Sequence, residues 1–135
     1  MSRAAVAVDT SVWIDFLGGR STPATDHLVG LLDHARDVAL TDVVLTEILQ
    51  GLPEAQVART EARLEVFDVL RLRSLADFRL ATAVYRAARR AGTTIRRTSD
   101  CLIAAVCIRE GVPLLHDDHD FDRIAAVSDL AVIQP

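Results

Sequence analysis

The sequence predicts an α/β fold in three layers, α/β/α, around a central parallel sheet of four or five strands. Three observations predict it. Short apolar runs alternate with longer stretches of helical periodicity along the whole chain, the pattern of a parallel sheet covered on both faces. Half of the 135 residues are apolar, enough for one real core at this length. No repeat, low-complexity tract or linker interrupts the chain, so residues 1–135 read as a single domain. Aromatics make up only 4%, which leaves the core to Ala, Val, Leu and Ile.

The elements follow in order. Residues 4–8 are short, apolar and Val-containing, a buried strand ended by Asp9. Residues 11–17 form a short helix, and 18–25 a turn-rich loop carrying Gly18, Gly19 and Pro23. Residues 26–35 are helical, with Leu28, Leu31 and Leu32 on one face. Residues 38–40 are a second strand, and Thr41 or Asp42 caps a helix running to about Gly51. Another helix spans 54–66, and 69–72 is either an edge strand or an extended connection. Ser74, with Asp77 three residues on, resembles a capping box opening a long helix that ends at Gly92. Ser99 opens the next helix, which ends at Gly111. Residues 113–116 are a strand, 121–127 a short helix and 130–133 a last strand.

Several function classes recede on composition. The apolar run at the N-terminus is too short for a signal peptide or a membrane span, which predicts a cytoplasmic protein with no membrane partner. Cys101 and Cys107 sit six apart in a helical segment and point to different faces. They cannot pair there, and read as small core residues in a reducing compartment. The net charge is −4, and every basic residue is Arg, with no Lys and no Asn. GC-rich coding accounts for that usage, so the Arg count itself says nothing about nucleic acid. Position says more: between Asp77 and Asp100 there is no acid, while Arg79, Arg86, Arg89, Arg90, Arg96 and Arg97 fall there. Of these, Arg86, Arg89, Arg90, Arg96 and Arg97 are candidate RNA-binding residues; a solvated helix face is the plain alternative.

In open α/β sheets the functional crevice lies beyond the carboxyl ends of the strands. Asp9 follows the first strand and Asp118 follows residues 113–116, so both fall at that edge. Each acid also has a structural explanation. Asp9 can be a helix N-cap. Glu47 lies angularly between Val43 and Val44, at the margin of an apolar face, where a carboxylate is costly without a cation or donors. Gly51, one turn on, leaves room for an approaching group. Asp100 stands at the start of a helix beside the capping candidates Thr98 and Ser99, where the helix dipole favours an ionised carboxylate. The run from His116 to Asp122 holds four carboxylates and two imidazoles, a solvated acidic turn by default, in which Asp120 can cap the following helix. His116 and His119 permit Zn or Mn, but their spacing matches no recognised zinc site.

Together the segments match one pattern. An apolar residue before Asp9-Thr10-Ser11, then Glu47-Ile48-Leu49-Gln50-Gly51, then Asp100-Cys101-Leu102-Ile103-Ala104-Ala105, then Leu115-His116-Asp117-Asp118-His119-Asp120-Phe121 resemble, in that order, the PIN domain. More narrowly, they resemble VapC-type toxins of bacterial toxin–antitoxin pairs, over essentially the whole length. The resemblance implies metal binding and catalysis by Asp9, Glu47, Asp100 and Asp118, with Asp120 as an auxiliary metal ligand. It implies one or two Mg²⁺ or Mn²⁺ ions, endonucleolytic cleavage of RNA such as tRNA or rRNA, a small cognate VapB-type antitoxin and a homodimer. Trp13 and Phe16, one helix from Asp9, are candidates for an antitoxin groove. One departure stands out: the family commonly has Thr or Ser where this chain has His116.

The chemistry explains why acids would serve. Carboxylates repel a phosphodiester, but they hold hard divalent cations. A bound metal lowers the pKa of its water and neutralises the developing charge. Four converging acids repel one another, so without metal at least one should have a raised pKa. Two alternatives remain at this stage. A phosphatase-type α/β hydrolase of the haloacid dehalogenase kind also begins with Asp after a first strand, but generally carries a second Asp two residues on and a downstream Lys. Here Ser11 stands in that place and Lys is absent. The other is a catalytically degenerate PIN domain acting as a binding module.

Overall fold

The computed structural model describes residues 6–34 and 36–135. Its elements run β1 (Val6–Val8), α1 (Thr10–Leu17), α2 (Pro23–Asp33), β2 (Val38–Thr41), α3 (Asp42–Gln50), α4 (Glu54–Leu64), β3 (Asp68–Leu70), α5 (Leu75–Arg90), α6 (Thr98–Glu110), β4 (Leu114–Leu115), α7 (His119–Ala125) and β5 (Val132–Ile133). The five strands form one sheet in the order β3-β2-β1-β4-β5, and every pairing is parallel. Among the described residues seven helices flank it, giving the three layers. Every residue of β1, β2 and β4 is buried, while the edge strands β3 and β5 are partly exposed. That is why the central strands are unbroken apolar runs instead of alternating ones.

The strand order places the site. From β1 the chain builds outward through β2 to β3, then returns to lay β4 on the other side of β1. The reversal lies between β1 and β4, where two loops diverge and leave a crevice. Ala7 N–H donates to Pro113 O at 2.9 Å, and Asp9 N–H to Leu115 O at 2.9 Å. The residue that follows β1 is thereby fastened to the end of β4. Over the sheet, α6 is buried nearly all round, presenting Ile103, Ala104, Ala105, Val106 and both cysteines to the core, and α5 packs along it. Burial pushes the Cys101 thiol up to about 11 and the Cys107 thiol up to about 12. Both are free and protonated, small apolar residues in effect.

Some boundaries differ from the sequence reading for identifiable reasons. Ala4, Ala5 and Ala35 lie outside the described residues. Helix α2 starts at Pro23, not Asp26. Thr25 N–H donates to Thr22 Oγ1 at 3.1 Å and Thr22 N–H to Thr25 Oγ1 at 2.8 Å, a capping box with Pro at the first helical position. Helix α4 ends at Leu64, and the ambiguous stretch after it is the edge strand β3. At α5, Ser74 Oγ accepts from Ala76 N–H at 3.2 Å, but the Asp77 carboxylate takes Arg73 N–H instead of Ser74 N–H. The box expected there is not formed. Helix α6 opens at Thr98 with no side-chain cap and closes at Gly111, whose φ of 68° suits glycine. Helix α7 starts at His119, and its N-cap is Asp118, not Asp120.

Candidate active site

Four acids reach one place from four elements. Asp9 leaves the end of β1, Glu47 projects from α3, Asp100 lies in the first turn of α6, and Asp118 follows β4. With Thr10, Ser11, Ile14 and Arg97 they line a cavity of about 230 Å³. A larger cavity of about 660 Å³ lies between α5 and the start of α6, lined by Phe78, Tyr85, Ile95 and Leu102 among others and by no carboxylate. The carboxylates are gathered in the smaller one, while the only charged side chain among the described residues lining the larger is Arg96.

The acids are held to different degrees. Asp9 is 4% exposed. Its Oδ2 accepts from Ser11 Oγ at 2.8 Å and from Ser11 N–H at 3.3 Å, so it does cap α1. Burial still raises its pKa against those bonds, and the Glu47 charge adds to the rise. Glu47 is gripped by two hydroxyls: Thr10 Oγ1 donates to Oε1 at 2.6 Å and Ser99 Oγ to Oε2 at 3.0 Å. Asp118 Oδ1 accepts from Asp120 N–H at 2.9 Å, and its two oxygens face Arg96 at 3.5 Å and Arg97 at 3.8 Å.

Asp100 is the exception. It is 4% exposed, and its Oδ2 is buried without a hydrogen-bond partner. Desolvation by burial, then the charges of Asp9, Asp118 and Glu47, push its pKa up to about 7 against the pull of Arg97. The helix dipole alone predicts a fully ionised carboxylate here; burial beside like charge outweighs it. An orphaned acid oxygen costs free energy that a cation would recover. All the donors are carboxylate oxygens, which suit Mg²⁺ or Mn²⁺. Among the described residues, no three His, Cys, Asp or Glu side chains are already drawn together closely enough to grip an ion. The contacts show why: the Glu47 oxygens are turned to hydroxyls and those of Asp118 to arginines.

Comparison with known proteins decides the family. The PIN domain family model matches residues 6–127. The chain is 38% identical over 127 residues to VapC ribonuclease Mb1587 of Mycobacterium bovis, covering 93% of this chain and 95% of that protein. The chain belongs to the PIN domain family, among the VapC ribonucleases. The same identity and coverage hold for ribonuclease VapC11 of Mycobacterium tuberculosis. Among solved structures, VapBC2 from Rickettsia felis, bound to a DNA fragment from its promoter, matches this PIN domain with a TM-score of 0.72. It is 16% identical and covers 97% of this chain and 98% of that one. FitAcB from Neisseria gonorrhoeae matches with a TM-score of 0.71 at 22% identity, covering 95% and 96%.

The structure sorts the other candidates in this PIN domain. Asp120 is 1% exposed and does not line the cavity. Arg123 Nη1 holds its Oδ1 at 2.7 Å, and Arg96 holds its Oδ2 through Nε at 3.2 Å and backbone N–H at 3.3 Å. Burial pushes its pKa up, but these bonds more than offset that, so it sits below the ordinary carboxylate value. Of the arginines, Arg97 lines the cavity and Arg96 stands beside it, whereas Arg86, Arg89 and Arg90 are exposed on α5 and line no part of it. His116 is fully buried and lies outside the cavity. Its Nδ1 accepts from Asp118 N–H at 3.1 Å, and its Nε2 lies 3.2 Å from Asp122 Oδ1 without hydrogen-bond alignment. It orders the turn that carries Asp118. His119 is largely exposed, 3.6 Å from Asp122.

Trp13 requires correction. It is fully buried, with Nε1 donating to Val8 O at 3.1 Å and its ring against Phe16 and Phe67. It cannot line an open antitoxin groove; a large aromatic on a helix packed over the sheet is a core residue, and partly buried Phe16 packs with it. The apolar side chain of α1 that does reach the cavity is Ile14, 46% exposed. Thr10, Ser11 and Ser99, which the sequence marks only as motif neighbours or caps, bond two of the four acids, Asp9 and Glu47. Their one sequence signal is a hydroxyl within two residues of Asp9 or Asp100.

Proposed function

We propose that this PIN domain is a metal-dependent endoribonuclease acting as the toxin of a toxin–antitoxin pair, restrained by a VapB-type antitoxin. The observation that carries the metal is Asp100: a buried acid oxygen without a partner, in a cavity it shares with Asp9, Glu47 and Asp118. The relatives at 38% identity are named ribonucleases, and the structural neighbours include toxin–antitoxin complexes, which supports RNA as substrate and a small protein as inhibitor.

Asp9, Asp100 and Asp118 would hold Mg²⁺ or Mn²⁺, with Glu47 completing the set. Bound there, the metal supplies Lewis-acid relief of phosphate charge and a more acidic water. The chain's own residues do the rest. Ser11 fixes the Asp9 carboxylate, and Thr10 with Ser99 fixes Glu47, so two of the four acids are preset before substrate arrives. Arg97, at the rim, offers a guanidinium to the phosphate. Ile14 keeps one wall of the cavity apolar. For the homodimer, the support is α5: Leu75 and Phe78 are 61% and 46% exposed beside the apolar cavity, and Phe78→Asp should yield a monomer by light scattering.

The test is direct. Purified protein with Mg²⁺ or Mn²⁺ should cut single-stranded RNA internally, and excess EDTA should stop it. Cleavage undiminished in EDTA would end the metal reading, and recovery of no small partner by mild pull-down from the native cell would count against the toxin.

A further inference from the structure

Two adjacent arginines meet the acids, and they are held differently. Arg96 is clamped, with Nε and its backbone N–H both on Asp120 Oδ2 and Nη2 on Asp118 Oδ1. Arg97 lines the cavity itself, and its ion pair is a long one, Nη2 to Asp118 Oδ2 at 3.8 Å. Both side chains are largely exposed, 66% for Arg96 and 58% for Arg97, so the difference lies in the bonds and not in burial. The Arg97 backbone occupies the N-cap position of α6, yet its side chain makes no capping bond, so the helix end does not depend on where the guanidinium points. One arginine is a fixture and the other is loosely tethered to the same carboxylate.

We propose that Arg97 is a built-in cation of the acid cavity that gives up Asp118 to an entering divalent metal and turns to the RNA phosphate, coupling metal binding to substrate binding. The inference rests on the metal-nuclease reading above. A divalent ion shared by Asp9, Asp100 and Asp118 competes with Arg97 for Asp118 Oδ2 and repels the guanidinium at short range. The released side chain already borders the cavity to which a phosphate would come, and its planar fork matches two phosphate oxygens. The orphaned Asp100 Oδ2 marks where the cluster lacks positive charge, and Arg97 does not bond it. Ion-pair exchange of this kind is an equilibrium coupling, so removing Arg97 must change metal affinity even with no RNA present.

The test titrates Mn²⁺ alone, by calorimetry, into wild type, Arg97→Gln, Arg97→Lys and Arg96→Gln. Arg97→Gln should bind Mn²⁺ at least about fivefold more tightly, the low end of ordinary coupling. Arg97→Lys should stay near wild type, and Arg96→Gln, removing an equal charge clamped to Asp120, should gain less. With Mn²⁺ saturating, Arg97→Gln should raise KM for a single-stranded RNA, and Arg97→Lys should restore part of the loss. Only a small shift in melting temperature is expected, since α6 takes no bond from this side chain and its one ion pair is long and exposed. Unchanged or weaker Mn²⁺ binding in Arg97→Gln overturns the proposal while leaving the nuclease reading intact. An equal gain in Arg96→Gln overturns it too, by showing a general charge effect. If wild type binds no Mn²⁺, the metal reading falls first and this inference with it.

Discussion

Helix α6 has a buried acid against each end, and the two are opposites. At its start, Asp100 is 4% exposed, has an oxygen without a partner, and is pushed up to about 7 by burial and like charge. Near its end, Arg109 meets Asp77 of α5, 3% exposed, through Nε at 2.8 Å. Burial raises the Asp77 pKa, but Arg73 N–H at 2.7 Å and the Arg109 guanidinium more than offset it, so it lies below the ordinary value. Arg109 also contacts Glu110 and the Arg71 carbonyl, so the cluster ties the loop after β3 to both helices. Burial is therefore no guide to role. A buried acid with all its partners inside the chain is structure; one with a partner missing points outward, to something the chain must acquire.

The sharpest way to break this contrast is to remove each acid. Asp100→Asn should lower RNA cleavage by at least about two orders of magnitude, the loss expected when a metal ligand worth several kcal/mol goes, while leaving the fold intact. Asp77→Ala should cost about 2 kcal/mol by leaving Arg73 N–H and Arg109 Nε without their acceptor, or roughly 7 °C in Tm, with cleavage per folded molecule retained. A large Tm loss in the first variant, or an activity loss at unchanged Tm in the second, would exchange the two roles.

Metal sharpens the same comparison. At a hundred times its dissociation constant, Mn²⁺ should stabilise the wild type by about 2.7 kcal/mol. Asp77→Ala should show the same increment from its lower baseline, and Asp100→Asn should lose most of it. Thermal melts with Mn²⁺ and with EDTA measure all three.

The two acids also pull stability in opposite directions with pH. Asp100 has a raised folded pKa, so its contribution is fully present below the unfolded value near 3.8 and is lost as pH rises through about 7. Asp77 has a lowered folded pKa, so its contribution is present above the unfolded value and is lost as pH falls through the folded one. In EDTA, Asp100→Asn should flatten the decline between about pH 4 and 7, and Asp77→Asn should flatten the acid limb. Urea melts across pH that leave the wild-type slope unchanged in Asp100→Asn would contradict the raised pKa.

The smallest effect belongs to the hydroxyls. Ser99→Ala removes one of the two bonds that hold Glu47 and should lower cleavage about tenfold, in line with loss of a supporting hydrogen bond at a metal site. No change in rate would make Thr10 alone sufficient.

Much of this was legible in the sequence because it is local. Asp9 and Asp118 fall directly after apolar runs, and a doubly wound sheet gathers such residues at one edge. The parallel sheet follows from the unbroken apolar strands. Long-range pairing was not legible. Nothing near Asp77 announces that its partner is Arg109, thirty-two residues away, and its spacing from Ser74 imitates a capping box. The stretch from Arg79 to Arg97 reads as one basic block, but a helix end and a turn divide it: Arg96 and Arg97 reach the acids, and the α5 arginines do not. Trp13 misleads for a related reason. A short helix shows no periodicity long enough to say which of its aromatics faces inward. Pro23 reads as a loop marker until the paired threonines around it show it as the first residue of a helix.

The crevice between β1 and β4 has a consequence in time as well as in space. Ala7 and Asp9 hydrogen-bond to Pro113 and Leu115, so β1, which pairs early with β2, gains its second neighbour only once the chain has been made past residue 115. On the ribosome, Asp9, Glu47 and Asp100 all emerge before β4 exists to close the cavity, and Asp118 comes last of the four. A nascent chain halted at Gly111 therefore carries three of the acids and no assembled site. Whatever chemistry the cavity performs is withheld until Asp118 has been made and β4 has paired, a delay imposed by topology alone.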